Sequence, residues 1–318
     1  MKALLLQEAT VRSLLDVDTA IEAVEAVHRE HGVGEVVDMP RQRTRTAQST
    51  LHSLQAAVPS LGLIGSKLYT SNRAGARFWV HLFDLATGMP VAILGADTLG
   101  MVRTGAAGAV AAKYLARPDA CTVGVIGAGF QAQSQIEALC RVRPIEQVRV
   151  FARRREQLEA FCTSMRARIG VEVAPAASAE AAVRDMDIVV TITTSATPVV
   201  EGAWLAAGTH ITAAGSNSLI RRELDEKALG RCARIVVDSR AVARQECGDI
   251  LPLLEKGRLH EAQLVELGEV IAGLRPGRQD PGEITVFESH GMGMQDIALA
   301  ARVLEAARAR GLGQEVEL

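Results

Sequence analysis

One short segment restricts the fold of this chain more than any other. Thr122-Val-Gly-Val-Ile126 runs without a break into Gly127-Ala128-Gly129-Phe130-Gln131-Ala132, and a helical pattern follows from Gln133 to Cys140. The apolar, β-branched run predicts a buried strand, and the glycines predict a tight turn into a helix. Each small residue has a separate task. Gly127 lets the chain reverse, Gly129 lets its backbone approach a pyrophosphate, and Ala132 lets helix and strand pack closely. The helix N-terminus then presents free N–H groups and a positive dipole to phosphate. Strand, turn and helix in that order make this a dinucleotide-binding loop rather than a plain glycine turn.

The pattern around the loop extends the argument. Apolar runs at Gln147–Phe151, Val171–Val173, Ile188–Thr193, His210–Ala214, Ile235–Asp238 and Ile284–Glu288 alternate with helical stretches. Such runs, joined by crossover helices, predict a parallel sheet buried on both faces, a Rossmann-type nucleotide domain. After the second strand come Ala152, Arg153, Arg154 and Arg155. An acidic residue usually stands there to bond the ribose hydroxyls of NAD. Arginines there suit a 2′-phosphate, so NADP is favoured over NAD, the plainer reading being a solvated helix start.

Before residue 117 the texture differs. The chain to about Met39 is helical in pattern, with Asp16 or Asp18 as a start cap. From Pro40 to Pro90, extended runs such as Leu61–Leu68 and Phe78–Leu85 alternate with turns, among them Asp84–Gly88. This predicts an α+β domain with an antiparallel sheet. An Ala- and Val-rich helix over Ala106–Ala116 ends at Arg117-Pro118-Asp119, and a second Ala-rich helix spans Gln295–Arg310. The division expected is 1–116 with 292–318 as one domain, and 117–291 as the nucleotide domain.

Composition closes off other classes. The 318 residues carry 35 basic and 37 acidic side chains, a formal net charge of −2, which gives no footprint for nucleic acid. No apolar run approaches the ~20 residues of a membrane span, and Met1 to Thr10 is too short for a signal peptide. Five scattered cysteines suit reduced thiols in the cytoplasm better than a disulfide frame or a zinc site. No metal is expected: His28 and His31, three apart, have Arg29 and Glu30 beside them and read as a solvated face. Cys247 has no activating partner in the sequence, and the polar Glu246-Cys-Gly-Asp249 reads as a loop.

Cations gather in the first domain. Lys67 lies in an apolar strand, Arg103-Thr104-Gly105 precedes the Ala-rich helix, and Arg41, Arg43 and Arg45 alternate so as to share one strand face. A cation at a helix start opposes the dipole, which suggests a role other than stability. Together these groups suit an anionic substrate such as a carboxylate.

Arg103-Thr-Gly-Ala-Ala-Gly108, Ile126–Ala132, Asp187–Thr193, Gly208–Gly215 and Phe287-Glu-Ser-His-Gly291 with Asp296 resemble, in this order, the motifs of the ornithine cyclodeaminase/mu-crystallin family. The resemblance covers most of the chain. It implies a homodimer acting on a small amino or imino acid, with hydride transfer between a nicotinamide and the α-carbon. It places Lys67 at the substrate lysine and Arg103, with Thr104 beside it, between substrate and cofactor. Arg43 best matches the carboxylate-binding arginine, with Arg41 as its rival. Gly127, Ala128, Gly129, Phe130 and Gln131 match the pyrophosphate loop. Ala152, Arg153, Arg154, Thr191, Thr193, Ala214 and Asn217 line the nucleotide, while Ser289 and His290 belong to the loop over nicotinamide and substrate, and 1–116 with 292–318 becomes the substrate-binding and dimerisation domain.

One position departs. Where ornithine cyclodeaminases carry an aspartate, this chain has Asn217, which cannot serve as a general base. Glu223 and Asp225 are the nearby acids that could substitute. The departure points to a ketimine or pyrroline-2-carboxylate reductase. Ornithine cyclodeamination and a catalytically silent nucleotide-binding protein are the alternatives.

Overall fold

The computed structural model describes residues 2–317; Met1 and Leu318, the ends of the expected first domain, lie outside them. The chain divides into two compact units, one running to Arg103 and resuming at Gly291, the other Thr104–His290.

The first unit holds a seven-stranded sheet in the spatial order Gln314–Glu317, Lys2–Leu6, Pro90–Gly95, Gly75–Asp84, Leu63–Asn72, Thr50–Val58, Val37–Arg45. Its pairs are antiparallel except that between Lys2–Leu6 and Pro90–Gly95. The expected turn at Asp84 is present: the Asp84 carboxylate accepts from Thr87 N (2.8 Å) and its carbonyl from Gly88 N (2.8 Å). The expected helical start is instead a strand, Lys2–Leu6, followed by helices Glu8–Leu14 and Val17–Gly32. Asp16 caps the second helix, accepting from Thr19 N at 2.8 Å.

Strand register sorts the side chains of this sheet. Leu54 stands opposite Lys67, which stands opposite Val80. That face packs against helix Gly293–Ala309 and is buried. The other face carries Val37, Ala57, Ile64 and Phe83 in one cross-strand row. There Val37, Met39, Leu51, Ile64 and Trp79 are 42–59% exposed and give this face an apolar character.

The second unit is an eight-stranded parallel sheet ordered Leu264–Glu266, Cys232–Val237, Ile284–Glu288, His210–Ala213, Ile188–Thr191, Thr122–Ile126, Gln147–Phe151, Glu172–Pro175. Ile284–Glu288, His210–Ala213 and Ile188–Thr191 are buried at every position, whereas the edge strand Glu172–Pro175 is half exposed. The near-continuous apolar runs are therefore the central strands. Two hydrophobic clusters flank the sheet, one around Val123, Ile136 and Val150, the other around Val189, Ile211 and Val286. The chain winds outward from Thr122–Ile126 to Glu172–Pro175, then crosses to Ile188–Thr191 on the other side. Strand order reverses beside Thr122–Ile126, and the glycine loop sits at that strand's carboxyl end, where open α/β sheets bind ligands.

The Ala-rich helix begins earlier than expected, spanning Asp97–Leu115. Arg103 therefore lies inside it and does not precede it. The helix starts there because Glu8 accepts from Asp97 N (2.9 Å) and Thr98 N (2.8 Å), an N-cap supplied from another element. Within the second unit, a Cβ at Gly105 would stand 2.3 Å from the Ser134 carbonyl oxygen, so this helix meets its neighbour with no side chain between.

Candidate active site

In the first unit the site is built around Asp296. Lys67 is 3% exposed and Arg103 6%, although long cations are seldom fully buried without a partner. Lys67 Nζ donates to Asp296 Oδ1 at 2.9 Å, and Arg103 Nε donates to the same oxygen at 3.1 Å. Both cations thus rest on one carboxylate oxygen. Glycines make the space: a Cβ on Gly100 would stand 2.8 Å from Lys67 Nζ, and one on Gly291 would stand 2.6 Å from Arg103 Nη1. The Phe78 ring centre lies 5.1 Å from the ammonium. Burial pulls Lys67 down to about 8, with Arg103 and Arg41 adding to the fall and Asp296 opposing it. An amine in that range can hold or release a proton near neutral pH.

The rival arginines separate. Pro40 has no N–H to give the sheet, and the register shifts between Met39 and Gln42. The shift takes Arg41 out of the paired series. Arg41 is buried and its charge reaches Lys67, whereas Arg43 pairs opposite His52 and is half buried. His52 stacks on Tyr69 with ring centroids 4.2 Å apart.

His28 does not lie on a solvated face. It is fully buried, and its Nε2 lies 3.0 Å from Gln295 Nε2. Arg29 and Glu30 misled the reading because adjacent helical residues face different directions. Asp296 and Gln295, which bond Lys67 and Arg103, are the residues of this cluster to which the sequence assigns no role. An aspartate and a glutamine near a helix start read locally as ordinary first-turn residues.

In the second unit the loop adopts the conformation that its glycines permit. Gly127 has φ +116°, and a Cβ there would stand 2.4 Å from the Ile192 carbonyl oxygen. Gly129 is the N-cap of helix Phe130–Val142, and nothing lies within 4 Å of where its Cβ would be. Gln131 Oε1 is buried with no hydrogen-bond partner. An open backbone at a helix start fits a bound pyrophosphate. Gly127 N donates to the Phe151 carbonyl at 2.9 Å, so Ala152, Arg153 and Arg154 start beside the loop, with both arginines exposed.

Behind these strand ends stands Glu223. It accepts from Thr191 Oγ1 (2.9 Å), Thr193 N (2.6 Å) and Gly215 N (2.7 Å), while its own N–H donates to Asp249 Oδ1 at 2.7 Å. Burial pushes its carboxyl up to about 7 against those bonds. Thr191 therefore turns its hydroxyl toward Glu223. Asp225 caps helix Glu226–Arg231, accepting from Ala228 N (2.7 Å) and also from Gly202 N (2.9 Å). Both acids are thus held in structural hydrogen bonds. Asn217 Oδ1 accepts from Arg221 Nη1 at 2.9 Å. Ala214, Ser289 and His290 are buried, and His290 N donates to Asp238 Oδ2.

Cys247, Glu288 and His290 bring ligand-type atoms within 4.8 Å of one another. Burial pushes the Cys247 thiol and the Glu288 carboxyl well up. A thiol raised in this way is a poor nucleophile.

Residues 1–311 match the ornithine cyclodeaminase/mu-crystallin family. The chain belongs to that family. Among solved family structures, Δ1-pyrroline-2-carboxylate reductase of Thermococcus litoralis, in complex with NADH and L-proline, is 31% identical (TM-score 0.94), over 98% of this chain and 100% of that one. An archaeal alanine dehydrogenase dimer with bound NAD is 34% identical (TM-score 0.94), over 100% of both chains. Iminosuccinate reductase of Paracoccus denitrificans, in complex with NAD+, is 30% identical (TM-score 0.94), over 100% of both. The family member described here is an NAD(P)-dependent imino or amino acid oxidoreductase. Among its described residues, no helix is long and apolar enough to cross a membrane.

Proposed function

We infer that the chain reduces a small cyclic or open α-imino acid to the α-amino acid, as a ketimine or pyrroline-2-carboxylate reductase does. The observation that carries this reading is the buried Lys67 and Arg103 sharing one oxygen of Asp296. Two cations on a single carboxylate leave positive charge to receive a substrate carboxylate. Arg41, buried and close enough for its charge to act on Lys67, joins Arg103 in holding that carboxylate in preference to Arg43.

The nicotinamide, when bound, supplies the hydride that forms the new C–H bond at the imine carbon. The protein's part is position and one proton. The Lys67 ammonium, near its own titration point, gives its proton to the imine nitrogen as that nitrogen becomes an amine, and regains one from water. The 127–131 loop holds the pyrophosphate. Exposed Arg153 and Arg154 take a 2′-phosphate, which favours NADP over NAD. The apolar outer face around Ile64 and Trp79 forms a homodimer contact.

The test is consumption of NADPH and NADH, followed by absorbance, against Δ1-pyrroline-2-carboxylate, Δ1-piperideine-2-carboxylate and pyruvate with ammonia or methylamine. A parallel arm offers ornithine with NAD and measures proline. Imine reduction faster with NADPH supports the whole reading. Proline from ornithine without imine reduction replaces it with cyclodeamination, and nucleotide binding without turnover of any substrate replaces it with a silent binding protein.

A further inference from the structure

Behind Lys67 and Arg103 runs a chain of hydrogen bonds with no exposed member. Asp296 Oδ1 accepts from both cations, and Arg103 Nη1 donates to Gln295 Oε1 at 2.7 Å. An arginine only donates, so Gln295 gives Arg103 its oxygen and gives His28 its amide nitrogen. His28 Nε2, 3.0 Å away, must then accept, and the single proton of the neutral ring belongs on Nδ1. Burial, with the charge of His31, pulls His28 down to about 3, so the ring stays neutral at working pH. Each link has one permitted polarity. His28, Gln295 and Asp296 are all 0% exposed.

The geometry points to Asp296, Gln295 and His28 as positioning residues for the reduction, the first holding the proton on Lys67 and the other two fixing the aim of Arg103. The assignment rests on the reading of Lys67 as proton donor. The groups acting on Lys67 are burial, Arg103 and Arg41, which all weaken its hold on a proton, and Asp296, which strengthens it. Removing the charge of Asp296 leaves only weakening influences. Reduction needs the protonated amine, so wild-type rate declines as pH rises through about 8. In Asp296→Asn that decline moves to lower pH. In Gln295→Glu a new negative charge beside Arg103 moves it higher. An Asp296 that only filled space would, when changed to Asn, lower the rate alike at all pH and leave the decline in place.

The experiment is kcat/KM for a cyclic imine from about pH 6 to about pH 10, with binding of the reduced nucleotide measured by its fluorescence as a check on the second unit. Asp296→Asn is expected to lose about tenfold or more at pH 8 and to recover part of that at pH 6. Gln295→Glu should keep its rate to higher pH than wild type. His28→Phe, which retains the ring's bulk, should raise KM for the imine severalfold and leave the pH at which rate declines unchanged. The assignment of Asp296 and Gln295 is overturned if neither variant moves the decline, and that of His28 if KM stays at the wild-type value. If Asp296→Asn does not fold, Gln295→Glu decides alone. Lys67→Met separates the two levels: wild-type rate and profile in that variant would overturn the proposed function itself.

Discussion

Replacing Gly100 by alanine should separate stability from activity. Gly100 lies near the start of helix Asp97–Leu115, and its new Cβ would stand 2.8 Å from Lys67 Nζ. Such contacts relax at about 3.5 Å, so the ammonium must retreat by about 0.7 Å. Two stability effects oppose each other. Alanine in place of helical glycine contributes about 0.5–1 kcal/mol. Weakening the 2.9 Å bond to Asp296 works the other way. That loss has a ceiling, because a lysine titrating at about 8 can give up its proton at pH 7 for about 1.4 kcal/mol. Net stability should therefore stay within about 1 kcal/mol of wild type. Activity has no such offset, since a misplacement approaching 1 Å at a catalytic group costs about 100-fold. Thermal melts and imine-dependent NADPH consumption at pH 7 measure the two quantities on the same sample. Unchanged kcat/KM would refute the role of Lys67 position. A collapse in melting temperature would show the ion pair to be a stability element.

Other perturbations have equally definite outcomes. Asp187 accepts from Cys121 N (2.9 Å), Thr122 N (3.0 Å) and Thr122 Oγ1 (2.9 Å) and pairs with Arg117; burial raises its carboxyl, but these partners bring it below the usual value. Asp187→Asn should cost about 2–3 kcal/mol at pH 7 by denaturant titration. Because the folded carboxyl is lowered, this stabilisation is present above the unfolded value, ~3.9, and is lost as pH falls through the folded one. The gap to wild type should therefore shrink in acid. Gly127→Ala, strained at φ +116° and 2.4 Å from a carbonyl, should abolish nucleotide binding as read by NADPH fluorescence. Ile64→Asp or Trp79→Asp should halve the mass seen by light scattering while shifting the stability of the chain itself by less than about 0.5 kcal/mol.

Local patterns revealed much of this molecule. The glycine loop, the central strands and the cation at Lys67 could be read because each depends on near neighbours. What could not be read depends on partners remote in sequence. Lys67 meets Asp296 across 229 positions. The start of the Ala-rich helix is set by Glu8 and not by its own first turn. Lys2–Leu6 is a strand because Pro90–Gly95 and Gln314–Glu317 pair with it, and no local periodicity announces that. Arg41 is singled out by a bulge at Pro40, whereas simple alternation ranks it equal to Arg43.

The scarcity of aromatic residues has an optical consequence. The chain contains two tryptophans, Trp79 on the open apolar face of the first unit's sheet and Trp204 in a short turn packed against the core of the second. Indole emission shifts to the blue as the ring leaves water. In a Trp204→Phe variant the remaining signal reports whether the first unit's outer face is in water or covered. In a Trp79→Phe variant it follows the folding of the nucleotide-binding unit. Two conservative substitutions thus turn one enzyme into separate reporters of that face and of unfolding, with no dye attached.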